Sequence, residues 1–267
     1  MEHRIHPVLA RGRVRVHLVG VGGNGAQMAN CLARLDIAMR ALGHPDGLHV
    51  TAFDDDTVSE ANVGRQVYST ADIGQHKALV TIHRINQFYG FDWDAMPTRY
   101  DPSAPRGDGA GPHLVVSCVD SARARRALHE GLFRQGSSGC YWLDLGNTEK
   151  TGQVVLGESA GYRRSQLEEW GRLPCVTELF PQLLEEGQED NAPSCSVRVS
   201  LASQGLFVND MVVRWASQLL YELVSEGCLK QHGVVVNLQS KRAGPIEVDP
   251  VVWRRFGIKR CRPSGAT

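Results

Sequence analysis

The feature that most restricts this chain is a run of glycines set between a β-branched hexapeptide and a helical stretch. Residues 14 to 19 (Val-Arg-Val-His-Leu-Val) have the composition of a short strand. Gly20-Val21-Gly22-Gly23-Asn24-Gly25 follows directly. From Ala26 to about Leu42, Met28, Leu32, Leu35 and Met39 recur at helical spacing until Gly43 and Pro45 end the pattern. A strand that turns through glycines into a helix lets the backbone approach a phosphate closely, with the N–H groups and positive end of the helix facing the anion. A glycine turn that binds nothing is the plainer alternative. The spacing Gly-x-Gly-x-x-Gly also leaves NAD, FAD and ATP open.

The rest of the chain repeats the strand–helix alternation. A second strand spans 48 to 53, and Leu79, Ile82, Ile85 and Phe88 line one face of a helix over 77 to 88. Residues 100 to 112 are a loop rich in Pro and Gly; a buried strand follows at 114 to 119, then an Arg- and Ala-rich helix from Ser121. Further strands fit 141 to 145 and 152 to 156. The pattern predicts an α/β fold, a doubly wound and mostly parallel Rossmann-like sheet. From 157 to 194 the periodicity fails, and a long irregular segment in a compact domain is usually functional or mobile. A helix from Ser200 to about Glu226 carries the stripe Leu201, Val208, Met211/Val212, Trp215, Leu219 and Leu223. A C-terminal β-hairpin pairs 233–239 with 246–252, and Arg254, Arg255, Lys259, Arg260 and Arg262 form a basic, solvated tail. The expected organisation is one domain over 1–267: a nucleotide-binding core at 14–156, an irregular crossover at 157–194, and the helix, hairpin and tail at 195–267.

Composition narrows the function classes. With 267 residues, 29 basic and 29 acidic, there is no electrostatic footprint of a nucleic-acid binder. No apolar run reaches the roughly 20 residues that span a bilayer. Met1 to Arg13 is polar and basic, unlike a signal peptide, so a cytoplasmic protein is expected. Seven cysteines, an odd number without a Cys-x-x-Cys pair, argue against a zinc ribbon and a disulfide scaffold.

The segment after the second strand narrows the nucleotide. It reads Asp54-Asp55-Asp56-Thr57-Val58-Ser59-Glu60-Ala61-Asn62-Val63-Gly64-Arg65-Gln66, then Asp72-Ile73-Gly74-Gln75-His76-Lys77-Ala78. An acid at the end of the second strand binds ribose hydroxyls in either a dinucleotide or an ATP site. Asn62, Arg65 and Lys77 just beyond it have no use in hydride transfer, whereas a triphosphate needs its charge held and neutralised. Taken singly, Arg65 and Lys77 read as solvated surface charges; in order behind the glycine loop they read as a phosphate site.

With those residues in place the sequence resembles the ThiF/MoeB adenylating enzymes and the ubiquitin-activating enzymes. The glycine loop, "DDDTVSEANVGRQ", "DIGQHKA" and "SCVDS" carry the resemblance closely over 14 to 125 and more loosely over 190 to 225. The nearest subgroup is similar to the ThiF-family proteins of the bacterial PRTRC system. The resemblance implies a cytoplasmic enzyme that binds ATP and Mg²⁺ and adenylates the C-terminal carboxylate of a small ubiquitin-like or sulfur-carrier protein, with a ubiquitin-conjugating-like protein as a further partner. It implies a homodimer and gives no role to nucleic acid or membrane. By position, Gly20, Gly22, Gly23 and Gly25 match the phosphate loop and Asp54 the ribose-binding acid. Asp56, Asn62, Arg65 and Gln66 match the polar loop whose Asn and Arg reach the phosphates. Lys77 matches the phosphate-neutralising lysine, and Asp120 the aspartate that handles magnesium. On its own, Asp120 reads equally as a helix N-cap.

The family often uses a downstream cysteine. Cys195, ahead of the long helix, sits where the reactive cysteine is usual, and a helix N-terminus lowers a thiol pKa. Cys175 is the second candidate for that reactive cysteine; it also resembles half of a zinc site, but Glu178 stands where the second cysteine belongs, so structural zinc is not expected. A buried, inert role is the alternative for both. The N-terminal helix that carries a trans-acting arginine in the family is reduced here, with Arg4, Arg11 and Arg13 as replacements. Two other functions share the glycine loop: an NAD(P)- or FAD-dependent oxidoreductase, and a non-catalytic scaffold that keeps the fold without turnover.

Overall fold

Short, β-branched strands separated by helices force crossovers in the first half of the chain, and antiparallel connections enter only after residue 147. The computed structural model describes residues 1–103, 111–134, 140–159, 172–185 and 205–258. In order these form β1 (His3–Arg4), β2 (Val14–Val19), α1 (Gly23–Ala41), β3 (Leu48–Phe53), α2 (Lys77–Tyr89), β4 (Asp94–Met96), β5 (Leu114–Ser117) and α3 (Ala122–Leu132). There follow β6 (Tyr141–Asn147), β7 (Thr151–Glu158), α4 (Val176–Leu179), α5 (Val208–Glu226), β8 (Cys228–Leu229), β9 (Gln231–Asn237), β10 (Arg242–Glu247) and α6 (Pro250–Arg255). The main sheet has the order β10-β9-β7-β6-β5-β2-β3-β4. Strands β6, β5, β2, β3 and β4 run parallel, and β7, β9 and β10 add antiparallel pairs at one side. The α/β class and the mostly parallel sheet are as the alternation predicts.

Period-two alternation along the strands feeds two cores. Leu18, Leu143 and Leu156 point to the layer holding Met28 and Leu32 of α1, Ile82 of α2 and Leu223 of α5. Val19, Trp142 and Val155 face the opposite layer, with Leu128 of α3, Val176 of α4 and Trp253 of α6. The chain switches between layers beside β2: β3 and β4 lie on one side of it, β5 and β6 on the other. A crevice at such a switch point, outside the carboxyl ends of the strands, is where open α/β sheets bind ligands.

Several boundaries differ from the sequence expectation. Helix α1 begins at Gly23 rather than Ala26, with Gly22 at its N-cap, so the last loop glycines are already helical. The strand expected to reach 119 ends at Ser117, and Ser121 caps α3 by accepting from the Ala124 N–H. That makes Ser121, not Asp120, the N-cap. Residues 200–204 lie outside the described residues, and α5 starts at Val208 after a turn at Leu206–Phe207. The terminal hairpin pairs 231–237 with 242–247, because Asp249 caps α6 and Pro250 opens it, leaving 250–252 helical. Within the stretch read as irregular, 172–185 folds over the second core and buries Leu173, Cys175, Val176 and Leu179. Strands β1, β4 and β8 gave no signal, being two or three residues long. The N-terminus is a strand and a 3₁₀ turn rather than a helix, held where His3 Nε2 meets the Tyr141 hydroxyl at 2.7 Å.

Two buried polar clusters brace this frame. Arg125 on α3 meets Asp144 on β6 at 3.3 Å, Asp144 accepts from the Ser117 hydroxyl at 2.6 Å, and that hydroxyl accepts from Trp142 Nε1 at 2.7 Å. Arg125 also donates to the Val119 carbonyl at 2.7 Å, fixing the backbone one residue before Asp120. In the second layer, His232 Nδ1–H donates to the Leu156 carbonyl at 2.8 Å and its Nε2 accepts from Trp253 Nε1 at 2.9 Å. Burial lowers the pKa of His232 to about 4.

Truncating Asp144 to Ala leaves the Arg125 charge buried alone, and we expect a loss of about 3–5 kcal/mol. The double change Arg125→Met/Asp144→Leu should cost clearly less; chemical denaturation of the three variants checks the order. For His232, the unfolded chain takes up a proton near pH 6.5 that the folded chain refuses until about pH 4. Its contribution is therefore complete above pH 6.5 and is lost as pH falls through that window, by about 3 kcal/mol at the lower end. Urea midpoints between pH 7.5 and 4.5 should fall less steeply in His232→Gln than in the parent chain.

Candidate functional site

The crevice at the carboxyl ends of β2, β3 and β5 is built outward from the glycine loop, where each glycine answers a different constraint. Gly20 has φ +83°, and a Cβ there would lie 2.9 Å from the Cys118 carbonyl oxygen of the next strand. A Cβ at Gly25 would collide with the Gly20 carbonyl, so this residue closes helix α1 onto its strand. At Gly23 a Cβ would run into Asn209 of α5. Gly22 is the least crowded of the four: the groups nearest its missing Cβ are the Gln66 carboxamide atoms, at 3.8 and 4.0 Å.

Asp54, at the end of β3, ties the loop to the segment that follows. One carboxylate oxygen accepts from the Val21 N–H at 2.5 Å, and the other accepts from the Asp56 N–H at 2.9 Å. Each oxygen keeps a lone pair for a hydroxyl donor. Burial raises the pKa of Asp54 against those bonds and the nearby Lys77 charge. Tyr68, which the sequence reading passed over, closes the other side: its hydroxyl donates to the Val21 carbonyl at 2.6 Å and meets Thr81 Oγ1 at 3.1 Å. Burial pushes its pKa up, so the phenol remains a donor.

The polar loop brings its cations to the same place. Lys77 is 7% exposed, and its ammonium bonds Asp56 Oδ2 at 2.8 Å while two of its three donors remain for a ligand. Arg65 is half-buried, and burial lowers its pKa while the Asp120 carboxylate opposes the shift, so these two residues face one another electrostatically. Asp120 itself is exposed. Asn62 is nearly buried, and its side-chain oxygen accepts from the Ser59 N–H at 2.9 Å and from the Ser59 hydroxyl at 3.1 Å. The sequence reading gave Asn62 to the phosphates, but its oxygen is spent on the turn, leaving the amide nitrogen for that role. Gln66 Oε1 is buried beside Gly22 without a hydrogen-bond partner.

A metal finds a limited donor set. Asp54, Asp55 and Asp56 offer ligand atoms within 4.8 Å of one another, and Asp120 is outside that group. A single exposed carboxylate such as Asp120 suits magnesium, which is commonly held by one or two carboxylates together with substrate phosphates.

The cysteines separate sharply. Cys195 lies outside the described residues. Cys175 is fully buried, its Sγ lies 3.4 Å from the Glu158 carbonyl oxygen, and burial raises its thiol pKa well above normal. Glu178, where a zinc site would have its second cysteine, instead accepts the Cys175 N–H at 2.8 Å and pairs with Arg172. Cys175 is a core residue, so its candidacy as the reactive cysteine is withdrawn and the buried, inert role stands.

The sequence reading also missed Asn209 and Asn147. Asn147, at the end of β6, accepts from Asn24 Nδ2 at 2.8 Å. The available signal was a polar Asn209-Asp210 pair inside an otherwise apolar run. Among the described residues, no helix is long and apolar enough to cross a membrane.

Comparison with known proteins agrees with this fold. Ubiquitin-like modifier-activating enzyme 5 of Arabidopsis thaliana is 28% identical over 169 residues, 54% of this chain. The alignment takes in only 36% of that protein, about a third of its length. Escherichia coli MccB superposes with a TM-score of 0.58 at 12% identity, over 89% of this chain and 63% of MccB. MccB solved with AMPCPP and MccA gives 0.57 at 14% identity, over 91% and 66%. PaaA gives 0.54 at 14% identity, over 88% and 64%. These structural likenesses speak for the fold. The model of the ThiF family matches residues 10–242, nearly the whole described fold, and the chain belongs to the ThiF family.

Proposed function

We propose that this chain is an ATP-dependent adenylating enzyme acting on the C-terminal carboxylate of a small ubiquitin-like or sulfur-carrier protein. The observation that carries the reading is the convergence, on one crevice, of the glycine loop at the start of α1, the Asp54 carboxylate and the buried Lys77 ammonium. A site for hydride transfer has no use for that buried cation beside the phosphates. The kinship with an enzyme that activates ubiquitin-like modifiers, and the solution of MccB with AMPCPP and MccA together, support ATP and a second polypeptide as substrates.

In the proposed reaction a carboxylate oxygen attacks the α-phosphorus, the bond from that phosphorus to its bridging oxygen breaks, and pyrophosphate departs with the electron pair. The carboxylate is already a competent nucleophile, so positioning and charge neutralisation supply the catalysis. Asp54 takes the ribose hydroxyls, and the loop from Gly20 to Gly25 cradles the phosphates. Asn62, Arg65, Gln66 and Lys77 orient and neutralise them. Asp120 would hold Mg²⁺, which would supply further charge neutralisation. Cys195 then accepts the activated acyl group as a thioester, releasing AMP, before transfer to a conjugating-type partner or to sulfur chemistry.

The reading extends to assembly. The stripe on α5 divides in the structure: Val208, Val212, Leu219 and Leu223 are core, whereas Phe207, Met211 and Trp215 are 66%, 44% and 37% exposed. Those three recur every four residues and form one outward face. We assign that face to a homodimer contact.

Three outcomes are expected. Lys77→Ala and Asp120→Ala should each reduce carboxylate-dependent ATP–pyrophosphate exchange by about 10²–10³-fold, and normal exchange in either removes its role. Cys195→Ala should keep exchange but lose any thiol-sensitive adduct with the partner protein in intact mass spectra. Met211→Glu/Trp215→Glu should shift light scattering from dimer to monomer; a parent chain that is monomeric at micromolar concentration and active would refute the assembly.

A further inference from the structure

The first turns of two long helices meet at the glycine loop, and a buried amide stands between them with its nitrogen unbonded. Asn209 lies in the first turn of α5 and is 2% exposed, and among the described residues its Nδ2 has no hydrogen-bond partner. An unmet buried donor costs about 1–3 kcal/mol, so the arrangement calls for an acceptor. The same side chain is what bars a larger residue from Gly23: a Cβ there would lie 3.0 Å from Asn209 Cγ and closer still to Nδ2. Neither helix has a side-chain cap, Gly22 and Phe207 standing at the two N-cap positions. The first turns are joined where Gln27 Nε2 donates to Asp210 Oδ2 at 3.2 Å. Uncapped N–H groups of both helices therefore add positive potential around the unmet donor.

From this placement we infer that Asn209 is a nucleotide-contacting residue, its Nδ2–H donating to a phosphate oxygen held at the N-terminus of α1. The inference rests on the ATP reading above and adds a contact from a helix far along the chain. The chemistry suits the position: a phosphate oxygen accepts and never donates, so only a donor is useful there. A neutral amide supplies one without being captured, as a lysine would be, by the neighbouring Asp210 carboxylate.

Calorimetry on the full chain with ATP, and separately with adenosine, tests the assignment. Asn209→Asp keeps the shape but turns the donor into an anionic acceptor; ATP should bind at least about tenfold more weakly, with adenosine within twofold of the parent. Asn209→Ala should weaken ATP in the same direction without touching adenosine. A packing role is separated by a cycle with Gly23. Gly23→Ala alone should lower Tm, because its methyl meets Asn209. Gly23→Ala/Asn209→Ala should recover the Tm of Asn209→Ala while ATP stays weak. Variants at Asn209 that bind ATP as the parent does, or lose ATP and adenosine equally, overturn the inference and leave the ATP reading standing. A parent chain that binds no ATP overturns both.

Discussion

The carboxylate of Asp54 is the point from which the site is organised. With one oxygen it fixes the Val21 N–H of the glycine loop, and with the other the Asp56 N–H of the segment beyond β3. Two pieces of backbone from neighbouring parallel strands are thus referred to a single planar group. Asp56 in turn holds the Lys77 ammonium, and Lys77 opens α2. One side chain sets the loop, the acidic turn and the start of the next helix relative to each other. Tyr68 reinforces this from the other side through the Val21 carbonyl, so Val21 is bonded at both its amide and its carbonyl.

That arrangement explains why the glycine spacing alone says so little. Four glycines in a loop look alike in sequence, yet here they answer four demands. Gly20 needs a positive φ, Gly25 needs helix–strand contact, Gly23 makes room for Asn209, and Gly22 lies beside the Gln66 carboxamide. The fold was legible because the strands and helices carry clean periods of two and about 3.6, and the buried residues of β2, β3, α1 and α2 fall on them. The order of the charged residues after β3 was legible for the same reason, since Asp54, Lys77 and the loop between them are close in sequence.

What escaped the sequence arrives from a distance. Asn209 reaches Gly23, Asn147 reaches Asn24, and Arg125 reaches the Val119 carbonyl next to Asp120. Each contact is set by which helix packs on which strand, a fact that periodicity does not contain. Cys175 as a candidate reactive cysteine failed for a related reason, and its buried, inert alternative held. Its local surroundings imitate half a zinc site, and only the tertiary fold shows the thiol sealed in the second core behind Glu158. The misplaced hairpin was a local error: Asp249-Pro250 is a helix start, and the apolar residues behind it were counted as strand.

A chain with no net charge can hold a highly charged ligand if its cations are supplied with counterions that differ in burial. Lys77 pairs with an Asp56 side chain that is 67% exposed, and Arg65 faces an exposed Asp120. Arg125 instead pairs with Asp144, which is sealed from solvent. Breaking the Lys77–Asp56 pair returns only the carboxylate to water, so a ligand must take up the buried ammonium, whereas breaking the Arg125–Asp144 pair strands two buried charges at several kcal/mol. In the proposed site, phosphate oxygens would take over Lys77 and Arg65 and would have no purchase on Arg125. The two kinds of pair would then divide the work: the accessible carboxylates would release their cations to the ligand, and the buried pair holds the backbone beside Asp120.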